Sequence, residues 1–220
     1  MTIARLARLV VPAALLFSLA ACEDPAKDAP KATVSTATPG RTAQAVSVAP
    51  TGGSEMFAVD PATSSVGFVG GKITGSHPGK FEKMTGSITL VGGKPEGGKV
   101  SFEVEVASVK TDSDKLDGHL QSPDFFDAAK FPKATFTSSS VKAGGEKGAS
   151  QTITGELDLH GVKKTISFPA TIVVTAEGVT GTSEFSINRK DFGIVYPGKP
   201  DDLIKDDVLL KLSLKAPRKK

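Results

Sequence analysis

The chain has 220 residues, 39% of them hydrophobic, with 27 basic against 24 acidic residues and a formal charge of +3. That length suits one ordinary domain with additional segments. The near balance of charge excludes the basic field a nucleic-acid partner demands, and a single cysteine excludes an internal disulfide framework.

Residues 1–21 read as an export signal. Arg5 and Arg8 supply a basic start, Leu9 to Leu19 is apolar apart from Ser18, and Ala20 and Ala21 close the segment with small side chains. The run is too short for a permanent bilayer span, which takes about 20 apolar residues. Cys22 follows directly, and Leu19-Ala20-Ala21-Cys22 resembles the bacterial lipobox. That resemblance implies that Cys22 carries lipid and becomes the first mature residue, an anchor and not a catalyst. One acyl chain binds a membrane only marginally, so stable anchoring implies more than one. The expected location is the cell envelope, on the periplasmic side, attached to the inner or outer membrane.

Residues 22–54 are expected to be a disordered tether. Ala, Pro, Thr, Ser and Lys dominate without hydrophobic periodicity, and Pro25, Pro30, Pro39 and Pro50 favour an extended spacer. From residue 55 to 217 the pattern changes to period-two segments punctuated by glycine, the mark of half-buried strands. Val100, Phe102, Val104 and Val106 alternate with Ser101, Glu103 and Glu105. Ile153, Leu157 and Leu159 form a second apolar row, and Ile166, Phe168, Ala170, Ile172 and Val174 a third. Val179, Phe185 and Ile187 mark a fourth, and Val208, Leu210, Leu212 and Leu214 a fifth. Weaker segments surround Val66 with Phe68, Ile88 with Leu90, and Ala134 with Phe136.

His160-Gly161 and Glu177-Gly178 suit tight hairpin turns, while Gly92-Gly93 with Gly97-Gly98, and Gly144-Gly145, suit longer loops. Between the strands, Asp114 to Ala129 has helical spacing at Leu116 and Leu120, with a second short turn opened by Ser122-Pro123-Asp124. Consecutive hairpins predict an all-β, eight-stranded antiparallel meander closed into a barrel, which removes exposed edges. Residues 218–220 (Arg218, Lys219, Lys220) are a basic, solvated tail.

Several motifs then agree with one family. His119-Leu120-Gln121-Ser122-Pro123-Asp124-Phe125-Phe126-Asp127, followed by Phe131-Pro132 and Phe136, resembles the signature of the YceI-like polyisoprenoid-binding family. Gly79-Lys80-Phe81 with Met84, Gly86 and Ile88 is similar to its early glycine–aromatic segment. Gly155-Glu156-Leu157 with Leu159, Gly161 and Lys164 is similar to its central hairpin. Arg189, Asp191, Phe192 and Gly193, then Leu203-Ile204 and Asp206-Asp207-Val208, resemble its closing segment. The common family pattern puts an arginine where Leu116 stands, and a histidine near the end of the first strand that is absent here unless His77 replaces it. The resemblance implies a lipocalin-like barrel whose apolar interior holds an isoprenoid-type lipid, a polyprenyl chain or quinone.

The ligand-binding candidates are the apolar residues expected inside the barrel or at its mouth: Phe68, Phe102, Val104, Phe125, Phe126, Phe136, Leu157, Phe168 and Phe185. Adjacent residues on a helix face different ways, so Phe125 and Phe126 are not expected to share one core, and one of them covers the mouth. An eight-stranded barrel can also be filled by its own side chains, which keeps open the alternative of a ligand-free structural or stress-response envelope protein. His77, His119 and His160 lie far apart without metal-ligand spacing, and His119 is expected to bond a neighbouring carbonyl or carboxylate. No nucleophile, base and stabiliser assemble from the motifs, so neither catalysis nor a cofactor is expected.

Overall fold

The structure, a computed structural model, describes residues 24–36 and 53–219. Residues 1–23, which hold the expected export signal and Cys22, residues 37–52 and Lys220 lie outside the described residues. The strands are β1 (Thr33–Thr36), β2 (Ser54–Ala58), β3 (Ser65–Gly71), β4 (Ser76–Phe81), β5 (Met84–Val91), β6 (Lys94–Glu105) and β7 (Val109–Thr111). After helix α1 (Asp114–Gln121) come β8 (Lys133–Ala143), β9 (Gln151–Leu159), β10 (Val162–Val174) and β11 (Gly178–Asn188). Two short pieces, β12 (Gly198–Lys199) and β13 (Asp202–Leu203), precede β14 (Asp207–Pro217).

Two of these divisions are bends within longer strands. β4 runs into β5 and β6 into β7, and the bends stay paired: Glu82 N–H bonds the Ser108 carbonyl at 3.1 Å and Glu105 N–H bonds Lys83 at 3.0 Å. With each bent strand taken whole, eight antiparallel strands follow one another in chain order, and β14 pairs with β3 to close the ring. The barrel expected from the hairpin pattern is therefore present. β2 adds to β5 where β5 has left β3, and Asp60 N–H reaches the Lys215 carbonyl at 2.7 Å, so this chain fills the last gap between β5 and β14.

The inward rows are those the alternation predicts. Val100, Val104, Ile153, Ile166, Phe168, Phe185, Ile187, Leu212 and Leu214 are buried in one cluster. Val174 departs from its row and is exposed, because the strand has reached the barrel end there. Gly92-Gly93 also departs from expectation. It is a two-residue hairpin, not a longer loop, and φ of 58° and 75° puts both residues in the left-handed region, which glycine enters without a Cβ clash. Gly97-Gly98 then falls inside β6 beside a register shift near Thr89 and Val91.

The two ends of the barrel differ. Hairpins β5–β6, β8–β9 and β10–β11 turn at one end, the closed end. α1, the turns after it and the 189–206 connection gather at the other, the mouth. α1 begins with Asp114 and Asp117 in its first turn, where carboxylates suit the helix dipole. Asp117 is buried and accepts both the N–H and the hydroxyl of Thr111 at 2.7 Å, which ties the helix to the end of β7.

The expected tether needs correction over residues 24–36. This segment is part of the barrel wall. β10 and β11 pair only through Thr171–Val174 and Val179–Thr182, then diverge. Pro169 accounts for the fork, since it has no N–H to continue the ladder, and Ser183 Oγ donates to its carbonyl at 2.5 Å instead. Into the fork goes β1, antiparallel to Lys164–Ser167 of β10. On its other side Ala32 N–H bonds the Ser186 carbonyl and Ser186 N–H bonds the Pro30 carbonyl, both at 2.8 Å. Ala32 is buried among the core residues and Val34 packs on them. Composition missed this because one small inward alanine suffices where the backbone itself fills the gap.

Candidate ligand cavity

A belt of four phenylalanines crosses the middle of the barrel. Phe102 of β6 stacks on Phe136 of β8 with centroids 5.3 Å apart, Phe136 meets Phe168 of β10 at 5.3 Å, and Phe168 stacks on Phe185 of β11 at 4.2 Å. β9 contributes no side chain at the crowded point. A Cβ on Gly155 would stand 2.6 Å from Phe136 Cζ and 2.4 Å from the Thr137 carbonyl oxygen, so the ring occupies the space glycine leaves.

Above the belt, toward the mouth, lies a cavity of about 150 Å³. All nine side chains expected to face the interior or mouth are on its walls: Phe68, Phe102, Val104, Phe125, Phe126, Phe136, Leu157, Phe168 and Phe185. Phe125 and Phe126 both reach it, contrary to the expectation that only one shares the interior. α1 ends at Gln121, and the two rings stand on the turn that follows, so the opposition of neighbours on a helix does not apply to them. Phe126 leans on Phe81 and Phe68, with centroids 5.8 and 6.3 Å away. Phe125 packs with Leu120 and Ile194 and touches Tyr196 at 5.3 Å.

Below the belt only a crevice of about 20 Å³ remains, between Ile88, Val100, Ile153, Ile172 and Leu214. The two spaces share Phe102 and Phe168 as their common wall.

Sequence reasoning did not pick Ile194, Ile204 or Arg189 for this site. They come from the irregular 189–206 connection, where no periodicity marks an inward face. Arg189 is 4% exposed and is the one residue with a polar side chain on the cavity wall. Its Nε donates to the Lys205 carbonyl at 3.0 Å, Nη1 to Ile194 at 2.7 Å and Nη2 to Ile204 at 3.3 Å, with Asp206 at 3.4 Å. Burial pushes its pKa down and Asp206 opposes this, yet a guanidinium stays charged in proteins. The arginine thus gathers three carbonyls of one loop and folds that loop across the mouth.

The histidines serve the same end of the barrel. His119 Nε2 lies 3.0 Å from Asp124 Oδ2, a carboxylate neighbour of the kind expected for it, and its ring stands edge-on to Phe125 and Tyr196. A carboxylate can only accept, which places the proton on Nε2. His160 faces the Phe192 carbonyl at 3.2 Å and His77 pairs with Asp112 at 2.8 Å. Among the described residues no three histidine, cysteine, aspartate or glutamate side chains converge as a metal site requires.

Comparison with known proteins places this geometry. A UPF0312 protein of Pseudomonas savastanoi is 38% identical over 138 residues, covering 59% of this chain and 70% of the relative. The crystal structure of Burkholderia cenocepacia BcnA matches with a TM-score of 0.64 and 26% identity, over 72% of this chain and 99% of that one. A polyisoprenoid binding domain from Saccharophagus degradans shares the fold with a TM-score of 0.58 at 20% identity, over 73% of this chain and 98% of that one. The YceI-like domain model matches residues 57–216. That span takes in the whole closed ring and its cavity, and the chain belongs to the YceI-like domain family.

Proposed function

We propose that the barrel binds an isoprenoid-type lipid, a polyprenyl chain or quinone, with apolar chain seated in the cavity above the phenylalanine belt. The observation that carries this reading is the wall of the cavity: it is apolar throughout except for Arg189, whose donors are turned to loop carbonyls. Water in such a space finds no partners, and an empty one forfeits dispersion contacts, so hydrocarbon is the natural occupant. A polyisoprenoid is also the ligand class named for the Saccharophagus domain that shares the fold. At about 150 Å³ the space takes a group the size of one benzene ring. A longer chain enters by displacing Phe126 and Phe68, which border the void and are not locked in the belt.

We further propose that lipid on Cys22 holds the domain at the periplasmic side of an envelope membrane. Replacing the thiol, Cys22→Ser, is expected to move the protein from the detergent phase to the aqueous phase, and full retention in detergent contradicts the anchor.

The packed half below the belt favours a second reading, a filled barrel with a structural role. Native mass spectrometry of the Cys22→Ser chain separates the two. A bound apolar mass that disappears in Ala134→Phe, which fills the cavity, supports lipid binding. A clean protein mass at every stage supports the filled barrel.

A further inference from the structure

The position of residues 24–36 bears on how the barrel meets a membrane. A chain anchored through a long spacer can present any face. Here the spacer is missing at the point where it matters. Asp24 stands two residues after Cys22, and its carboxylate pairs with Lys205 at 3.2 Å. Its Oδ1 also accepts the Ala26 N–H at 3.1 Å, which starts the turn that leads into the wall strand. Lys205 belongs to the mouth: its N–H bonds the Gly71 carbonyl at 2.9 Å, and its side chain passes over Gly71 beside Pro25. The chain thus enters the described residues, at Asp24, beside the mouth, and the two residues back to Cys22 reach at most about 7 Å.

The same end carries an apolar rim. Six large hydrophobic residues are exposed among the described residues: Met56, Val173 and Val174 stand on strands toward the closed end, whereas Ile73 at 59%, Val195 at 62% and Leu203 at 45% come from the mouth loops. Ile73 and Leu203 are adjacent, joined by a hydrogen bond of 3.2 Å from Ile73 N–H to the Leu203 carbonyl. Ion pairing of Lys72 to Asp202 at 2.7 Å leaves little net charge between them to oppose contact with hydrocarbon. Ile204, next to Leu203, lines the cavity. Apolar rim, anchor position and cavity opening thus coincide at one end.

We propose that the barrel docks mouth-first on the bilayer, with Ile73, Val195 and Leu203 entering the headgroup boundary and the cavity opening toward the lipid. This rests on the reading of Cys22 as the anchor and names the surface that anchor presses to the membrane. Lipid then passes between bilayer and cavity without crossing water.

The test uses the lipid-modified full chain in vesicles of phosphatidylethanolamine and phosphatidylglycerol, with one fluorescent label on Leu203→Cys or, as the opposite-end control, on Met56→Cys. Vesicle attachment is expected to lower iodide quenching of the Leu203 label at least about fivefold, as insertion into the headgroup boundary requires, and to leave the Met56 label as it is. A spin-labelled lipid is expected to quench only the first. Equal iodide access at both positions overturns mouth-first docking. If the native chain does not float with vesicles at all, the anchor reading has failed. The docking claim is then decided by a chain whose residues 1–22 are replaced by hexahistidine and bound to nickel-chelating lipid, read by the same two labels.

Discussion

The two halves of the barrel interior are built from the same alternating strands and come out differently. In the closed half Leu90, Ile88, Val179 and Ala216 are at most 1% exposed, and branched side chains from every wall interlock over a crevice of about 20 Å³. In the mouth half eight phenylalanine rings stand among the aliphatic side chains of the wall, and about 150 Å³ stays open between them. The difference is one of shape. Branched aliphatic chains of unequal length fill a narrow cylinder, whereas rings tied into a stacked belt cannot turn to close the space above them. Hydrophobic pattern specifies which side chains face inward, and their shapes decide whether the interior is solid.

The largest effect that would break this contrast lies at the belt. Phe168→Ala removes a ring stacked on Phe185 and touching Phe136, and is expected to destabilise the protein by about 3–5 kcal/mol in urea unfolding. Phe126→Ala, on the open side, is expected to lose less than half as much, because the ring is only half-buried and already borders a void. Equal losses would mean that the mouth half is as solid as the closed half.

Arg189→Met is expected to come next, at roughly 2 kcal/mol, the range for hydrogen bonds to a charged group plus the carbonyls left without donors. Its signature is local. Amide exchange in the 189–206 loop should accelerate, while β5 and β6 at the closed end keep their protection.

Small-to-large changes sharpen the comparison at lower amplitude. Ala216→Leu, in the closed half, is expected to destabilise by about 1–3 kcal/mol through overpacking. Ala134→Leu adds the same atoms to the cavity wall and should stay within about 0.5 kcal/mol of the parent, since there is room for them. Reversal of that order, read by thermal unfolding, would misplace the cavity.

The smallest effect depends on pH and belongs to the mouth alone. Hydrogen bonds from Thr111, then the Lys110 ion pair at 3.0 Å, hold the Asp117 carboxyl below its ordinary range against the opposing effect of burial. Lys72 and Thr74 do the same for Asp202. A carboxylate depressed on folding stabilises the protein above its unfolded pKa, and that contribution is lost as pH falls through the folded value. Acid below about pH 4 is therefore expected to loosen α1 and the 72–75 and 202–205 loops first. Protection factors of the Thr111 and Thr74 amides, corrected for the pH dependence of intrinsic exchange, would show it, and unchanged protection down to pH 3 would contradict it.

Much of this architecture was legible in the residues. The rows of β6, β9, β10, β11 and β14 and the His160-Gly161 turn follow from period two and glycine punctuation. Of the nine wall positions, Phe102, Val104, Leu157, Phe168 and Phe185 lie on those rows, and Phe68 and Phe136 on weaker alternating segments. Phe125 and Phe126 needed the turn after α1, whose geometry local sequence does not dictate. Gly155 looked like a gap in the row Ile153–Leu157, and only the ring of Phe136, arriving from the neighbouring strand, explains it. Arg189 resembled a family residue before its role was visible, because three carbonyls from one loop meet it only in the fold. The wall strand at Thr33–Thr36 was illegible for a further reason. Its place is created by Pro169, more than a hundred residues away, and nothing in its own Ala-Thr-Val-Ser-Thr composition records that vacancy.

The contrast between the two halves, and the lipid reading that depends on it, can be tested in one spectrum. Methyl groups of Val104, Leu157 and Leu210 line the cavity, and those of Leu90, Val179 and Leu214 belong to the packed closed half. In a methyl-labelled Cys22→Ser chain titrated with a long-chain ubiquinone, the first three signals should shift together to saturation while the second three stay in place. If no methyl moves, or if both sets move alike, the cavity above the phenylalanine belt is not a lipid site.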